Sequence, residues 1–151
     1  MKKFIIIRGP AGCGKSTLAK KLLDTSKNGK HFEADMYFMV DGQYMFDPKL
    51  LKEAHGWCQD QTRRALEDPA IDMVIVSNTF IRMWEMHEYF DMFRYIESVT
   101  SIEIIRATGG VGSIHNVPQD IIDRMNLTFE EIPEVAMEWM KQENTKRAIG
   151  I

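Results

Sequence analysis

The sequence predicts an α/β domain in which a parallel β-sheet is covered by helices on both faces. Short apolar runs alternate along the chain with longer segments of helical periodicity. A glycine-rich segment joins the first apolar run directly to the first helical segment. At 151 residues the chain is long enough to bury a sizeable core. We therefore expect a single domain over residues 1–151, built as a three-layer sandwich.

The predicted elements follow in a regular order. The first half has a strand at 3–8, a helix at 16–25, a strand at 31–34, an irregular stretch at 35–46 with a turn at Asp41-Gly42, and a helix at 48–67 capped by Asp47. The second half has a strand at 71–77, a helix at 81–97, a strand at 102–106, a glycine-rich loop at 109–112 and a helix opened by Pro118. A capping box, Thr128-x-x-Glu131, predicts a final helix through about residue 141.

The segment between the first strand and the first helix carries a phosphate-binding motif. Gly9 to Ser16 spell G-x-x-x-x-G-K-S, the P-loop, whose backbone N–H groups surround an anion at a helix N-terminus. Lys15 is predicted to contact the β- and γ-phosphates, and the Ser16 hydroxyl to bind Mg²⁺. The expected contacts to the nucleotide, ATP with Mg²⁺, are Gly9, Pro10, Ala11, Gly12, Cys13, Gly14, Lys15, Ser16 and Thr17. This motif in this context predicts a P-loop NTPase.

Charge and composition narrow the class of protein. The net charge of −3 argues against a broad cationic surface for duplex DNA. Residues 1–30 nevertheless hold eight Lys or Arg against one acidic residue, which favours polyanionic ligands near the P-loop. No apolar run has the length of a membrane span, so we expect no membrane partner. Cys13 lies inside the phosphate loop, where a disulfide would obstruct the ligand, and this favours a cytoplasmic location.

Three further strand ends carry candidate catalytic groups. Asp35 follows the second strand, where it could accept a proton from an attacking hydroxyl or position Mg²⁺; a turn aspartate is the alternative. Ser77-Asn78-Thr79 follows the third strand, where P-loop proteins commonly carry a metal-binding aspartate, and none is present. Thr79 could bind substrate or only cap a helix. Arg106 precedes the glycine-rich loop, as a cation of a lid over ATP would, or it is a surface arginine.

Two helices carry patterns with a structural and a functional interpretation. His55, Gln59 and Arg63 recur every four residues and share a helix face, which could line an acceptor groove. The methionines and aromatic residues of 83–95 have helical spacing, which favours core packing over a base-stacking surface.

The motifs, taken in order, resemble a known family. GPAGCGKST at the P-loop, Asp35 within E-A-D-M-Y-F, S-N-T-F at 77–80 and H-N-V-P-Q-D-I-I-D-R-M at 115–125 resemble the kinase domain of phage polynucleotide 5′-hydroxyl kinases. They are also similar to the P-loop domain of small AAA-type ATP-binding relatives, in segments matching residues 35–39, 46–57 and 84–86. The resemblance spans residues 1 to about 132.

The resemblance implies transfer of the γ-phosphoryl group of ATP to a nucleic-acid 5′-hydroxyl. It makes Asp35 the base that takes the hydroxyl proton and gives Thr79 a part in holding the acceptor. Where the phage enzymes place a phosphate-gripping arginine, this chain has Phe38, whose ring could stack on a terminal base. The glycine-rich segment replaces an arginine-rich lid helix and leaves Arg106 as the lid cation.

Three functions are compatible with these residues. The first is a kinase for the 5′ end of single-stranded nucleic acid, with Lys15, Asp35 and Arg106 as catalytic residues and Phe38, Thr79 and Arg63 at the acceptor. The second is a kinase for a small metabolite or nucleoside. The third is an NTP-binding module with slow hydrolysis. Asp35 and the basic first thirty residues favour the first function, whereas Phe38 and the net acidity favour the other two.

Overall fold

The computed structural model describes residues 1–107 and 119–150. Its strands, in chain order, are β1 (Lys3–Arg8), β2 (Gly29–Phe32), β3 (Met39–Val40), β4 (Gln43–Tyr44), β5 (Met73–Asn78) and β6 (Ser101–Arg106). Its α-helices are α1 (Lys15–Leu23), α2 (Leu51–Glu67), α3 (His87–Tyr95), α4 (Gln119–Thr128) and α5 (Glu134–Ala148). Short 3₁₀ helices occupy Ala34–Phe38, Pro48–Leu50 and Met83–Met86. The predicted glycine-rich loop at 109–112 and the helix start at Pro118 lie outside the described residues.

Four parallel strands form the main sheet, in the order β2-β5-β1-β6. The central strand β1 pairs along its whole length with β5 on one side and with β6 on the other. Because β1 is buried on both faces, it is the continuous apolar run that parallel sheets require. The carboxyl ends of β1, β2 and β5 therefore meet at one edge of the sheet, next to the P-loop.

Helices cover both faces of this sheet, as the sequence predicts. On one face, Ile5, Ile7 and Ile75 pack against Ala19 of α1 and its neighbouring leucines. On the other face, Phe4 and Ile6 belong to a larger cluster that includes buried side chains of α2, α3 and α5. The predicted three-layer α/β sandwich with a parallel sheet is confirmed. In residues 1–107 and 119–150, no helix is both long enough and apolar enough to cross a membrane.

The side chains of Lys2 and Asn144 each connect two elements through hydrogen bonds to the backbone. The ammonium of Lys2 is buried and donates to the carbonyls of Leu66 and Asp68, each at 2.6 Å, which closes the C-terminal end of α2. The amide of Asn144 in α5 accepts from the N–H of Ile102 and donates to its carbonyl, both at 2.8 Å. This pair of bonds fixes α5 to the edge strand β6.

Most predicted elements are present, with three informative differences. The predicted strand at 31–34 lies two residues earlier, as β2, so Glu33 comes directly after its end. The predicted helix at 81–97 is a 3₁₀ turn followed by the shorter α3. The predicted capping box at Thr128 is wrong: its hydroxyl donates at 2.9 Å to the Arg124 carbonyl inside α4, so it closes that helix and does not open the next. The last helix begins at Glu134 and continues to Ala148.

Two local predictions are confirmed. Asp41 and Gly42 have φ values of 49° and 81° and form the turn between β3 and β4, an antiparallel pair inside the stretch that the sequence leaves irregular. In the methionine and aromatic segment, Met86, Tyr89, Met92 and Phe93 are core residues.

Candidate active site

The P-loop lies between β1 and α1, and at three of its positions the backbone conformation or the lack of space favours glycine. Gly12 and Gly14 adopt φ values of 77° and 90°, which residues with a side chain rarely adopt. A Cβ at Gly9 would lie 2.5 Å from the Cys13 sulfur and 2.7 Å from the Ala107 carbonyl oxygen. The loop is therefore tightly folded against itself and against the end of β6. Its backbone precedes the N-terminus of α1, as an anion site requires.

The Lys15 side chain folds back over this loop. Its ammonium donates to the carbonyls of Gly9 at 2.8 Å and Pro10 at 2.9 Å. Burial lowers the pKa of Lys15, and the negative charges of Glu33 and Asp35 act in the opposite direction. The cation of the P-loop and both carboxylates after β2 are therefore within electrostatic reach of one another.

A chain of hydrogen bonds connects the P-loop to the neighbouring strands. The Ser16 hydroxyl donates to Glu33 Oε2 at 3.1 Å, and the Ser77 hydroxyl donates to the same oxygen at 3.2 Å. Because Ser77 donates to Glu33, it accepts from His31 Nε2 at 2.6 Å. Burial lowers the pKa of His31, while the Glu33 charge opposes that shift.

Glu33 is not among the site residues that the sequence predicts. The predicted strand at 31–34 places it inside a strand, whereas the structure places it one residue past β2. The available signal was a carboxylate near a strand end, on the same edge as the P-loop. In the described part of the chain, no three His, Cys, Asp or Glu side chains gather as a metal-binding cluster.

The last residue of β5, Asn78, and the residue after it, Thr79, contact the segments on either side of them. The Asn78 side-chain oxygen accepts from the Ala34 N–H at 2.9 Å and so fixes the start of the 3₁₀ helix that contains Asp35. The Thr79 carbonyl accepts from the Gly9 N–H at 3.2 Å, which places Thr79 next to the first residue of the P-loop.

Asp35 lies in the 3₁₀ helix that follows Glu33. The Tyr44 hydroxyl donates to Asp35 Oδ1 at 3.1 Å. Burial, together with the Asp35 charge, raises the pKa of Tyr44 to about 12. The phenol therefore stays a hydrogen-bond donor at neutral pH and connects Asp35 to the β3–β4 hairpin.

Two phenylalanines that follow Asp35 differ in exposure: Phe38 is buried and Phe46 is half exposed. Phe38 is only 2% exposed and packs edge-to-face against Tyr37, Tyr44 and Phe46. The expected stacking surface on Phe38 is therefore buried, because its ring fills the core beneath the hairpin. Phe46 is 49% exposed, and its ring lies nearly parallel to that of Tyr44, at 10° with 6.2 Å between centroids. Of the two phenylalanine rings, that of Phe46 is therefore the one that is partly open to solvent.

Arg106 is held by residues between α4 and α5. Its guanidinium contacts Glu131 at 2.7 Å and lies 4.3 Å from the centre of the Phe129 ring. Arg8 lies 4.1 Å from the same ring centre, so both arginines make a cation–π contact with Phe129. The role of Arg106 in a lid stays a prediction, and the glycine-rich loop that would carry that lid lies outside the described residues.

Arg63 lies on the outer face of α2. Its guanidinium is 3.9 Å from Glu88 of α3. It lines an open cavity of 610 Å³ together with residues of α2, α3 and the turn after α3. The lining of this cavity includes neither Lys15 nor Asp35, and the ion pair of Arg63 is with α3 and not with a residue of the P-loop.

Comparisons with known proteins agree with this architecture. The profile of a family described as "AAA domain" matches residues 4–111. NEDD4-binding protein 2 of Homo sapiens is 41% identical over 86 residues, which cover 57% of this chain and 5% of that protein.

Two solved structures share the fold. "Structure of Pnkp1/Rnl/Hen1 complex" has a TM-score of 0.55 at 18% identity, covering 82% of this chain and 38% of that one. "Structure of the Pnkp1/Rnl/Hen1 RNA repair complex" has the same TM-score and identity, covering 99% of this chain and 46% of that one. The chain therefore matches less than half the length of either solved relative.

Proposed function

The chain belongs to the AAA domain family, and we propose that it is an ATP- and Mg²⁺-dependent kinase whose acceptor is the 5′-hydroxyl of an oligo- or polynucleotide. At the coarser level it is a nucleotide-binding domain with a kinase-like P-loop fold. The observation that carries the proposal is that the P-loop with Lys15 and the 3₁₀ helix with Asp35 follow the carboxyl ends of two strands of one parallel sheet, β1 and β2. Phosphoryl transfer depends mainly on such positioning and charge.

In the proposed reaction the P-loop backbone and Lys15 hold the β- and γ-phosphates, and Ser16 holds Mg²⁺. Mg²⁺, when bound, neutralises charge on the phosphate oxygens. The acceptor oxygen attacks the γ-phosphorus and its proton passes to Asp35. The bond from the γ-phosphorus to the bridging oxygen breaks, and ADP leaves. Thr79, beside Gly9, is proposed to help hold the acceptor.

A nucleic-acid acceptor is supported by the surface next to Asp35. Tyr44 connects Asp35 to the hairpin, and the half-exposed ring of Phe46 offers a face on which a base could stack. The basic first thirty residues add an attraction for polyanions. Two structural relatives come from assemblies titled as a Pnkp1/Rnl/Hen1 complex, one of them as an RNA repair complex.

A nucleoside or another small metabolite is the second candidate acceptor. Position 38 carries a buried phenylalanine and no arginine, so a flanking phosphate has no cation at that position. The single ring of Phe46 is enough to stack on one base, and a nucleoside has only one. Such a kinase would use the same Lys15 and Asp35.

Acceptor specificity is tested by incubating the protein with γ-labelled ATP and Mg²⁺. The acceptors are single-stranded DNA and RNA with 5′-hydroxyl ends, a panel of nucleosides, and buffer alone. We expect labelled oligonucleotides, with a shallow dependence on salt because few phosphates are neutralised. Label on nucleosides alone would replace the proposal by the second candidate. Slow release of phosphate with no labelled acceptor would indicate an NTP-binding module.

A further inference from the structure

The end of β5 carries no aspartate, the residue that P-loop proteins commonly use there to bind the metal. A different carboxylate, that of Glu33, contacts the P-loop serine. In P-loop proteins Mg²⁺ is held by the P-loop Ser or Thr and by an aspartate after a neighbouring strand. Here the neighbouring strand is β5, which ends in Ser77 and Asn78. The carboxylate that reaches the P-loop serine comes instead from Glu33, after β2, one strand farther from β1.

The sheet order explains how Glu33 reaches the P-loop. Because β5 lies between β2 and β1, a side chain that starts after β2 must pass the end of β5. That end carries the small, fully buried Ser77, whose hydroxyl donates to Glu33 Oε2 at 3.2 Å. The same oxygen accepts from Ser16 at 3.1 Å, and the other carboxylate oxygen lies 3.4 Å from the Ser16 hydroxyl. Ser77 thus supports a carboxylate directed at Ser16.

The direction of these hydrogen bonds suits a hard cation. Ser16 gives its proton to Glu33, so the lone pairs of its oxygen remain available to a metal ion. Among the ion pairs of the described residues none includes Glu33, and the nearby cation that acts on its charge is Lys15 of the P-loop itself. Mg²⁺ prefers oxygen ligands and is usually held by one or two carboxylates together with substrate phosphates. The donor set of one hydroxyl and one carboxylate fits that preference.

We propose that Glu33 is the residue that positions Mg²⁺ in this protein, through its charge and its hydrogen bond to Ser16. It performs from β2 the task that an aspartate after β5 would perform. The inference rests on the proposed function only in assuming that the bound nucleotide carries Mg²⁺. It requires no particular acceptor.

The test measures nucleotide binding and needs no phosphoryl transfer. The affinity for a fluorescent ATP analogue is determined with Mg²⁺ and with EDTA, for the wild type, Glu33→Gln and Glu103→Gln. Glu103 is an exposed residue of β6 and serves as the matched control. Binding of Mn²⁺ to each protein–ADP complex is followed by electron paramagnetic resonance.

We expect Glu33→Gln to bind the analogue like the wild type in EDTA and to lose most of the gain that Mg²⁺ gives. Its Mn²⁺ affinity should fall by about 10–100-fold, as for residues that orient metal ligands. Glu103→Gln should match the wild type. Equal Mg²⁺ gains in the wild type and Glu33→Gln would overturn the inference and leave the kinase proposal standing.

A purely structural role for Glu33 predicts a different result. The melting temperature without nucleotide or metal would then fall, and binding would weaken equally in Mg²⁺ and in EDTA. If the wild type itself gains nothing from Mg²⁺, the proposed function fails, and this inference fails with it. The two failures are therefore distinguishable.

Discussion

The two ends of the candidate site are built in different ways. The end proposed to bind the phosphoryl donor (the donor end, residues 9–17) is one continuous segment. Within it, the Lys15 ammonium donates to the backbone carbonyls of Gly9 and Pro10. The other end, residues 33–46, carries the proposed acceptor contacts and the proposed metal-positioning residue Glu33, and it depends on side chains that meet partners from other elements. Glu33 contacts Ser16 and Ser77, and Asp35 contacts Tyr44.

This difference shows what a sequence motif contains. A continuous segment that binds phosphate with its backbone must keep its glycines and its spacing, so the motif describes the structure almost completely. A site made of side chains from separate elements depends on the strand order, which no short motif records. Four sets of substitutions test whether the two ends also act separately.

The largest effect is expected from Asp35→Asn. The amide keeps the shape of the side chain but cannot accept the hydroxyl proton, so phosphoryl transfer should fall by about 10²–10⁴-fold. The affinity for ATP with Mg²⁺ should change little. The measurements are single-turnover transfer from labelled ATP and binding of a fluorescent ATP analogue. Asp41→Asn, in the exposed hairpin turn, is the matched control and should retain activity. A parallel loss of ATP affinity in Asp35→Asn would assign this residue to the donor end.

Lys15→Ala should act on the donor end alone. It removes a charge-assisted contact to phosphate, worth about 1.5–3 kcal/mol. The rise in melting temperature that ATP and Mg²⁺ give to the wild type should therefore shrink strongly, since that rise reflects binding to the folded state. Lys21→Ala, an exposed residue of α1, should keep the full rise. Equal rises in the wild type and Lys15→Ala would contradict the P-loop assignment.

Phe46→Ala and Phe38→Ala should separate acceptor binding from stability. Phe46→Ala should weaken acceptor binding by about 1–3 kcal/mol per stacked base, measured as a higher KM for the oligonucleotide with an unchanged KM for ATP. Phe38→Ala should instead lower the free energy of unfolding by about 3–5 kcal/mol, measured by denaturant titration, because its ring is buried. A raised acceptor KM in Phe38→Ala without lost stability would restore the expectation from sequence.

The smallest effect is expected from breaking the contact between Arg106 and Glu131. Their side chains are 37% and 82% exposed, so the ion pair is worth about 0–1 kcal/mol. Arg106→Ala and Glu131→Gln should therefore lower the melting temperature alike and only slightly, and the predicted lid role of Arg106 adds a loss of turnover in Arg106→Ala alone. Unchanged turnover in both variants would mark the pair as purely structural. A loss of turnover confined to Arg106→Ala would support its role as a lid cation.

The fold and the donor end were largely predictable from the sequence. The buried strands β1 and β5 are apolar runs, and the P-loop directly follows the first of them. The contacts of Glu33 were not predictable, because Ser16 is 17 and Ser77 is 44 residues away and only the order β2-β5-β1 brings them together. The burial of Phe38 was missed for a similar reason: its neighbours Tyr44 and Phe46 reach it through a hairpin that was predicted only as a turn.

The amide of Asn144 also has a consequence for association between molecules. An edge strand exposes N–H and C=O groups that can pair with a strand of a second molecule, and such pairing leads to aggregation. At Ile102, the second residue of edge strand β6, both groups are already bonded to one side chain of α5. The helix therefore blocks sheet growth with a single residue that imitates a peptide group. A chain in which α5 detached would expose this edge to other molecules while its P-loop remained intact.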